Sequence, residues 1–222
     1  MLEIRRYHES DETAVRRICL LTGDNGGDGT ALYPDVDLLS DIFAIPYTVL
    51  DPELCFVAVD ADADKAAGRV VGYIVGTVDS KRYVERYLEE WLPRVRDRHQ
   101  EPPQEPDRVN DPQGAVTWRL HHPAYDPRVV GDYPAHLHIN LLPEAQGKGG
   151  GRALMETFLN AARTHGAEKV HLNVSLTNTN ARAFYARLGF EPLVLPGSEA
   201  YAGGLVVRST TVVTPPASGA GI

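Results

Sequence analysis

Apolar residues along the chain follow two spacings, and each spacing predicts one kind of element. Alternating or continuous β-branched and apolar positions predict six strands, at residues 2–7, 54–59, 70–78, 136–142, 169–175 and 203–213. Apolar residues three and four positions apart predict helices after the capping residue Ser10, over residues 37–43, from Val84, and in the stretches 154–166 and 181–188. Strands that alternate with helices in this way indicate an α/β architecture.

Residues 79–134 interrupt this order with a long segment of mixed character. Pro93 is predicted to kink or end the helix that starts at Val84, while residues 101–112 are charged and proline-rich and predict a loop. Residues 118–125 predict partial order. The whole segment is predicted to be an insertion between the third and fourth strands. Two interpretations are equally open: the insertion covers a binding site as a lid, or it is a decoration or a dimer contact.

A glycine-rich run links the fourth strand to the next helix. Residues 143–152 read Pro-Glu-Ala-Gln-Gly-Lys-Gly-Gly-Gly-Arg. A glycine-rich turn at a helix N-terminus offers backbone N–H groups and the positive end of the helix dipole to an anion. The run therefore predicts a ligand that carries a diphosphate.

Three phosphate-binding patterns compete for this run. A P-loop requires Ser or Thr after its lysine, but Gly149 follows Lys148, and a dinucleotide fingerprint requires a third glycine where Arg152 stands. The pattern Gln-x-x-Gly-x-Gly is met by Gln146, Gly149 and Gly151. It resembles the coenzyme A pyrophosphate loop of the GNAT acetyltransferase superfamily.

A second motif of this superfamily lies in the next helical segment. The pattern Asn-x-x-Ala-x-x-x-Tyr-x-x-x-Gly-Phe is met by Asn178, Ala181, Tyr185, Gly189 and Phe190, in the order and at the separation that the superfamily shows. The resemblance implies the α/β GNAT fold, with a mixed, mostly antiparallel sheet of about seven strands flanked by helices. It also implies that acetyl-CoA is the cosubstrate and that its acetyl group passes directly to an amine, without an acyl-enzyme intermediate.

The resemblance also assigns residues to coenzyme A and to proton transfer. The residues that it places on the coenzyme are Asn140, Leu141, Leu142, Gln146, Gly147, Lys148, Gly149, Gly150, Gly151, Arg152, Asn178, Ala181 and Tyr185. Tyr185 matches the family's general acid, which protonates the leaving thiolate, and the alternative is a core tyrosine in an apolar helical stripe. Asn178 matches a contact to the pantetheine arm, and the alternative is a helix cap, a role that Asn180 could take instead.

His136 and His138 are the candidate general bases. They share one face of the fourth strand because side chains alternate along a strand, and histidine accepts a proton at neutral pH. The string Ala-His-Leu-His also resembles the serotonin N-acetyltransferase group, in which paired histidines on this strand relay the proton of the amine. The alternative is a hydrogen-bonded pair that lines the cleft without a catalytic role. No cysteine or carboxylate set accompanies the pair, so no metal site is expected.

In the superfamily, the loop between the first two helices forms much of the acceptor pocket. In this chain the loop holds Asp24, Asp28 and Tyr33. The two carboxylates would attract an ammonium group, and the alternative is that Asp, Asn and Gly serve only to form turns here.

A closer resemblance is to the acetyltransferase-like C-terminal domain of O-GlcNAcase and its free-standing bacterial relatives. It rests on Cys-Leu-Leu-Thr-Gly-Asp-Asn-Gly from residue 19, Tyr-Pro-Asp from residue 33, the long insertion, and His-Leu-His-Ile-Asn-Leu-Leu-Pro from residue 136. The eukaryotic domain has lost the glycine loop that this chain keeps. The sequence therefore predicts an N-acetyltransferase, with a catalytically silent coenzyme-A-binding sensor or interaction module as the alternative.

Length and composition limit the remaining possibilities. A chain of 222 residues with 43% hydrophobic residues suits one domain at 1–213, with 214–222 as a flexible tail. The net charge of −8 argues against nucleic acid or an anionic membrane as a partner, and it either favours a cationic acceptor or reflects an ordinary acidic surface. Cys19 and Cys55 lie in apolar segments and are expected to be reduced core thiols. With no run of about 18 apolar residues and a strand at the N-terminus, we expect a cytoplasmic monomer or homodimer.

Overall fold

The computed structural model describes residues 2–62, 68–193 and 200–206. Within these ranges seven strands form one sheet: β1 (Leu2–Arg6), β2 (Phe56–Asp60), β3 (Arg69–Thr77), β4 (Ala135–Leu141), β5 (Lys169–Ser175), β6 (Glu191–Leu193) and β7 (Ala200–Val206). Their order across the sheet is β1-β2-β3-β4-β5-β7-β6. The predicted α/β fold class is confirmed, and the insertion lies between the third and fourth strands. The seven strands agree with the number that the resemblance implies, and they are one more than the six that the apolar spacing predicts.

The sheet is antiparallel except at its centre, where β4 runs parallel to β5. In the described part of the chain, these two strands pair only through Ala135 with Val170 and His136 with His171. From Leu137 onward they part. A gap therefore opens in the middle of the sheet, beside the C-terminal half of β4.

The helices within the described ranges are α1 (Glu12–Leu21), α2 (Leu38–Phe43), α3 (Ile45–Leu50), α4 (Ser80–Arg86), α5 (Leu92–Val95), α6 (Pro112–His121), α7 (Pro127–Val130), α8 (Gly150–Thr164) and α9 (Thr179–Arg187). A π-helical turn, Tyr87–Trp91, separates α4 from α5. None of these helices is long and apolar enough to cross a membrane.

Helix α8 covers one face of the sheet, and α1 to α3 cover the other. The fully buried ring of Phe158 on α8 lies so close to β3 that a Cβ atom at Gly76 would be 2.7 Å from it, which explains the glycine. On β4, Leu141 points to the α8 side, where it approaches Gly150. Because side chains alternate along a strand, His136 and His138 point to the opposite side, towards α3.

The insertion between β3 and β4 packs into the same hydrophobic core as the sheet. Tyr83, Tyr87, Trp91 and Leu120 all belong to this core and are at most 6% exposed. Of the two outcomes predicted for Pro93, a kink or an end of the helix, the second is wrong. Instead the chain widens into the π turn just before the proline, and α5 continues beyond it, because a proline in the first turn of a helix needs no N–H donor there.

Helix α6 includes residues 118–121, and residues 122–125 lie outside it, so the predicted partial order of 118–125 is found and the helix itself begins earlier than predicted. The helix begins at Pro112 because the Asp111 side chain accepts a hydrogen bond from the Gly114 N–H at 2.8 Å and caps the N-terminus. This local signal lay in the sequence, but the apolar spacing of the segment was too weak to show a helix.

A buried ion cluster ties the insertion to α1 and α2. The fully buried Asp41 carboxylate pairs with Arg16 Nη1, Arg98 Nη2 and His99 Nε2, each at 2.8 Å, and His99 Nδ1 lies 2.8 Å from Asp35. Burial alone would raise the pKa of Asp41, but the hydrogen bonds from His99 and Arg16 outweigh it and lower that pKa. The same hydrogen bond to Asp41 raises the pKa of His99. The cluster fixes the position of the insertion.

Several predicted boundaries differ from the structure. The strand predicted at 54–59 begins at Phe56, because Pro52–Leu54 forms a 3-10 turn. Helix α3 and the short strand β6 were not predicted. The last strand begins at Ala200 and not at residue 203. Its predicted part beyond Val206 and the predicted tail at 214–222 lie outside the described residues.

Candidate active site

The glycine run builds an open helix N-terminus at the start of α8. Gly147 and Gly149 have φ angles of 72° and 83°, a conformation that other residues rarely adopt. Gly149 is the N-cap, and no side chain caps the helix. The N–H groups of Gly150, Gly151 and Arg152 lie in the first turn and precede the first intrahelical bond, from Ala153 N–H to Gly149 at 3.1 Å. These groups can receive an anion.

The last two glycines of the run lie in close contact with neighbouring side chains. A Cβ atom at Gly150 would lie 2.6 Å from Leu2, and one at Gly151 would lie 3.2 Å from the Phe184 ring. Helix α8 therefore sits close to the sheet edge and to α9. Lys148 is exposed beside this turn, and Arg152 is exposed and pairs with Glu156 at 3.4 Å.

The backbone of β4 offers N–H groups to the central gap at alternate residues. The Leu142 N–H donates to the Val71 carbonyl of β3 at 2.9 Å, and Asn140 pairs with Tyr73 on the same side. Because backbone groups alternate along a strand, those of Ile139 and Leu141 point away from β3, into the gap. Of the predicted coenzyme contacts Asn140, Leu141 and Leu142, Leu141 is therefore the one whose N–H faces the gap.

Two side chains shape this stretch of β4. Gln146 Nε2 donates to the Leu141 carbonyl at 3.0 Å, so the glutamine of the loop motif holds the loop against the strand. Asn140 Nδ2 donates to the Tyr73 hydroxyl at 2.8 Å and is thereby turned towards β3.

His136 has both ring nitrogens engaged. The Ser80 hydroxyl lies 2.6 Å from the Pro134 carbonyl and 2.6 Å from His136 Nδ1. Since a carbonyl can only accept, Ser80 donates to Pro134 and accepts from Nδ1–H, and Nε2 then accepts from the Tyr47 hydroxyl at 2.7 Å. Burial lowers the pKa of His136 well below its usual value. This geometry favours the hydrogen-bonded alternative for His136.

His138 has its ring nitrogens unengaged. It forms no side-chain hydrogen bond with any described residue, and its ring lies between those of Phe43 and Tyr47, with centroid distances of 5.4 Å and 5.5 Å. Burial, followed by the charge of Arg119, lowers the pKa of His138 to about 3. The ring is therefore neutral at physiological pH and has a nitrogen available to a substrate.

Tyr185 presents a phenol without a partner in the described ranges. It lies on α9, is 9% exposed, and contacts the rings of Phe184 and Phe190. Burial raises its pKa, so the hydroxyl keeps its proton at neutral pH. Because Phe184 packs against Gly151, Tyr185 lies on the helix that borders the N-terminus of α8.

Asn178, and not Asn180, is the N-cap of α9. The Asn178 Oδ1 accepts from the Ala181 N–H at 3.0 Å, and the Asn178 Nδ2 donates to the Asn25 carbonyl at 3.0 Å. The side chain thus joins α9 to the loop between α1 and α2. The predicted contacts of Asn178 and Ala181 with coenzyme A stay predictions.

The loop between α1 and α2 uses its acidic residues for turns. Asp24 and Gly27 form a β-bridge, and Asp28 accepts from the backbone N–H of Thr30 at 2.9 Å and from its hydroxyl. Tyr33 is half-buried. Both carboxylates are exposed. The Asp28 carboxylate favours the turn-forming alternative, whereas Asp24 enters the turn through its backbone and its carboxylate accepts from Asn25 Nδ2 at 3.1 Å.

Sequence analysis missed six side chains near His138 and His136, and none of them lies in a recognisable motif. Phe43 lies on α2 and Tyr47 on α3, Ser80, Tyr83 and Arg119 come from the insertion, and His171 comes from β5. The Asp79 cap at the start of α4 was the one local signal near this group.

Comparisons with known proteins define the class. The family model for the acetyltransferase (GNAT) family matches residues 28–190, so the chain belongs to this family. The crystal structure of SsHAT is 43% identical, has a TM-score of 0.85, and is matched over 93% of this chain and 98% of SsHAT. The protein is thus an acetyltransferase of the GNAT fold.

Two further proteins extend the comparison. A mycothiol acetyltransferase from Beutenbergia cavernae is 43% identical over 53 residues, which cover 24% of this chain and 18% of that protein. The structure of yncA, a putative acetyltransferase from Salmonella typhimurium with its cofactor acetyl-CoA, is 15% identical with a TM-score of 0.52, over 95% of this chain and 96% of that one. The latter likeness shows the fold alone.

Proposed function

We propose that this protein is an acetyl-CoA-dependent N-acetyltransferase that transfers acetyl directly to an amine in a ternary complex. The observation that carries this proposal is the gap between β4 and β5, into which the Leu141 N–H points. The gap is bordered by the open N-terminus of α8 and by α9, which carries the free Tyr185 hydroxyl. Aminolysis of a thioester requires a loop that binds the coenzyme, an N–H group that polarises the acetyl carbonyl, and a proton donor for the leaving thiolate.

Acetyl-CoA would supply an activated thioester, and the residues of the gap would hold it. The first-turn N–H groups at Gly150–Arg152, with Lys148 nearby, suit the pyrophosphate. The Leu141 N–H suits the acetyl oxygen, and one such donor stabilises developing negative charge by about 3–4 kcal/mol. The Gln146 bond to the Leu141 carbonyl keeps this peptide unit oriented.

Proton transfer would be divided between two side chains. As the amine nitrogen bonds to the acetyl carbon and the carbon–sulfur bond breaks, His138 accepts the amine proton and Tyr185 gives its proton to the thiolate. The raised pKa of Tyr185 keeps that proton in place until the thiolate forms. His136 holds Tyr47 and Ser80 in place, and through them the wall around His138.

The finer assignments belong to this proposal as well. We place one domain over residues 1–213, with the insertion at 79–134 as a wall of the acceptor site. The resemblance to the acetyltransferase-like domain of O-GlcNAcase is supported by the same residues as before and leaves the acceptor open. The mycothiol acetyltransferase match covers too little of that protein to carry its acceptor over.

The test is release of free thiol from acetyl-CoA with a panel of amines, together with calorimetric binding of acetyl-CoA. Binding plus thiol release with an amine, and an acetylated amine seen by mass spectrometry, would support the proposal. Binding without release on any acceptor would favour the silent sensor, and absence of binding would refute the coenzyme site.

A further inference from the structure

Arg119 brings a cation from the insertion to the histidine face of the sheet. Its Cζ atom lies 5.2 Å from the centroid of the Phe43 ring, and that ring lies 5.4 Å from the ring of His138. The same aromatic side chain therefore contacts both Arg119 and the proposed base. A guanidinium stacked on a ring has a defined orientation.

Within the described part of the chain, this guanidinium has no anionic partner. Arg119 forms neither an ion pair nor a hydrogen bond there, and the buried Asp41 of α2 is already shared by Arg16, Arg98 and His99. The residue is exposed to solvent, yet the desolvation caused by surrounding protein lowers its pKa. A cation that is accessible to solvent and yet partly desolvated by protein gains from an anionic ligand.

Tyr87 is a further donor near Arg119. It is 2% exposed, and its hydroxyl has no hydrogen-bond partner within the described segments. Tyr83 stacks on Tyr47 with a centroid distance of 4.3 Å. Arg108 lies near enough that its charge acts on Arg119 and on Tyr33. This side of the site is rich in donors and positive charge.

We infer that the acceptor amine carries an oxyanion, a carboxylate or a phosphate, which Arg119 binds while the amine lies at His138. The inference rests on the proposed N-acetyltransferase function and names the class of its acceptor. A guanidinium binds either oxyanion through two parallel hydrogen bonds. It is more specific than the expectation that the acidic loop attracts an ammonium group, because the Asp28 carboxylate already accepts hydrogen bonds from Thr30, whereas Arg119 has no such partner among the described residues.

Binding of such an acceptor would also favour the chemistry. The charge of Arg119 is the second cause, after burial, of the lowered pKa of His138. An oxyanion on Arg119 cancels that charge, so His138 becomes a better proton acceptor when the correct acceptor is bound. An amine without an anionic group would leave the charge of Arg119 in place, and His138 would stay the weak base that it is in the free protein.

The test compares matched acceptors that differ by one anionic group. Tyramine and tyrosine differ by a carboxylate, and glucosamine and glucosamine 6-phosphate differ by a phosphate. We expect kcat/KM, from thiol release by the full chain, to be roughly 10-fold to 150-fold higher for the anionic member of at least one pair, as for one charge-assisted interaction. The pair that responds distinguishes carboxylate from phosphate.

Arg119→Gln should remove this preference by lowering the rate with the anionic member alone, and Arg119→Lys should restore part of it. Arg163→Gln, on an exposed arginine near the end of α8, is the matched control and should keep the preference. Calorimetric binding of acetyl-CoA should be the same in all variants, and a loss in Arg119→Gln would place Arg119 on the coenzyme and overturn the inference.

The outcomes separate the two proposals. Two results would overturn the oxyanion-bearing acceptor while leaving the N-acetyltransferase function in place. One is turnover of tyramine and glucosamine at least as fast as that of their anionic counterparts. The other is an equal effect of Arg119→Gln on both members of a pair. No thiol release with any amine would overturn the N-acetyltransferase and the acceptor class with it.

Discussion

Replacing Asp41 with asparagine tests whether the buried ion cluster holds the insertion in place. Asparagine has nearly the same shape, but it removes the charge shared by Arg16, Arg98 and His99, and it turns one acceptor into a donor that faces cations. The perturbation therefore leaves packing almost unchanged and isolates the electrostatic contribution. If the cluster fixes the insertion, its loss should also shift α6, the helix of the insertion that carries Arg119.

The magnitude follows from the exposure of each partner. Arg98 is 52% exposed, so its pair with Asp41 contributes under about 1 kcal/mol. Arg16 and His99 are 18% and 2% exposed, so the variant leaves two cations poorly solvated. Removing one partner of such a buried pair costs about 3–5 kcal/mol. For a chain of this size, that corresponds to a loss of about 6–20 °C in Tm.

The assay is thermal and guanidinium unfolding followed by circular dichroism, with Asp37→Asn as the control. Asp37 contacts the same Arg16 at 3.5 Å but is 45% exposed, so its replacement should cost less than about 1 kcal/mol. If Asp41→Asn destabilises the protein no more than Asp37→Asn does, the cluster does not hold the insertion.

The difference in stability between wild type and Asp41→Asn should depend on pH with a defined sign. The pKa of Asp41 is lowered, so its contribution is present above about pH 4 and is lost as the pH falls through the lowered native value. The pKa of His99 is raised, so its contribution is complete below about pH 6.5 and is lost as the pH rises through the raised native value. The gap between wild type and Asp41→Asn should therefore be larger at pH 6 than at pH 9, and a larger gap at pH 9 would contradict this assignment.

The remaining predictions concern the catalytic groups. Tyr185→Phe should lower kcat by about 100-fold or more with acetyl-CoA binding unchanged in calorimetry, and an unchanged kcat would remove Tyr185 from the mechanism. His138→Gln should lower kcat by about 10²–10⁴-fold at unchanged Tm, whereas His136→Gln should chiefly lower Tm; equal kinetic losses at wild-type stability would refute this division. Gly149→Glu, which places a charged side chain at a φ of 83° in the anion site, should abolish acetyl-CoA binding, and retained binding would place the ligand elsewhere. Because the pKa of His138 is lowered to about 3, stability should fall as the pH drops from about 6.5 towards about 3; a chemical-denaturation series should show a shallower fall in His138→Gln, and an unchanged slope would speak against the buried neutral ring.

Local sequence patterns predicted those features that depend on neighbours along the chain. The positive φ angles of Gly147 and Gly149 follow from a turn that must deliver N–H groups to one point. The packing contacts of Gly150 and Gly151 with Leu2 and with Phe184 could not be foreseen, because their partners lie far away in the sequence. The π turn before Pro93 was missed for a related reason, since burial of Tyr87 and Trp91 in the core holds a helical path that local propensity would have ended.

The sequence by itself determined the class of fold, the glycine loop that we propose binds the coenzyme, and the choice of Tyr185 and two histidines as candidates. The tertiary structure distinguishes the surroundings of the two histidines, because His136 is engaged by Tyr47, 89 positions away, and by Ser80, 56 positions away, while His138 is engaged by neither. It also decided where Arg119 lies, because that position depends on how the insertion docks on α2. Periodicity and motifs report what each segment prefers, whereas a free ring nitrogen or an unpaired guanidinium depends on which distant side chains arrive beside it.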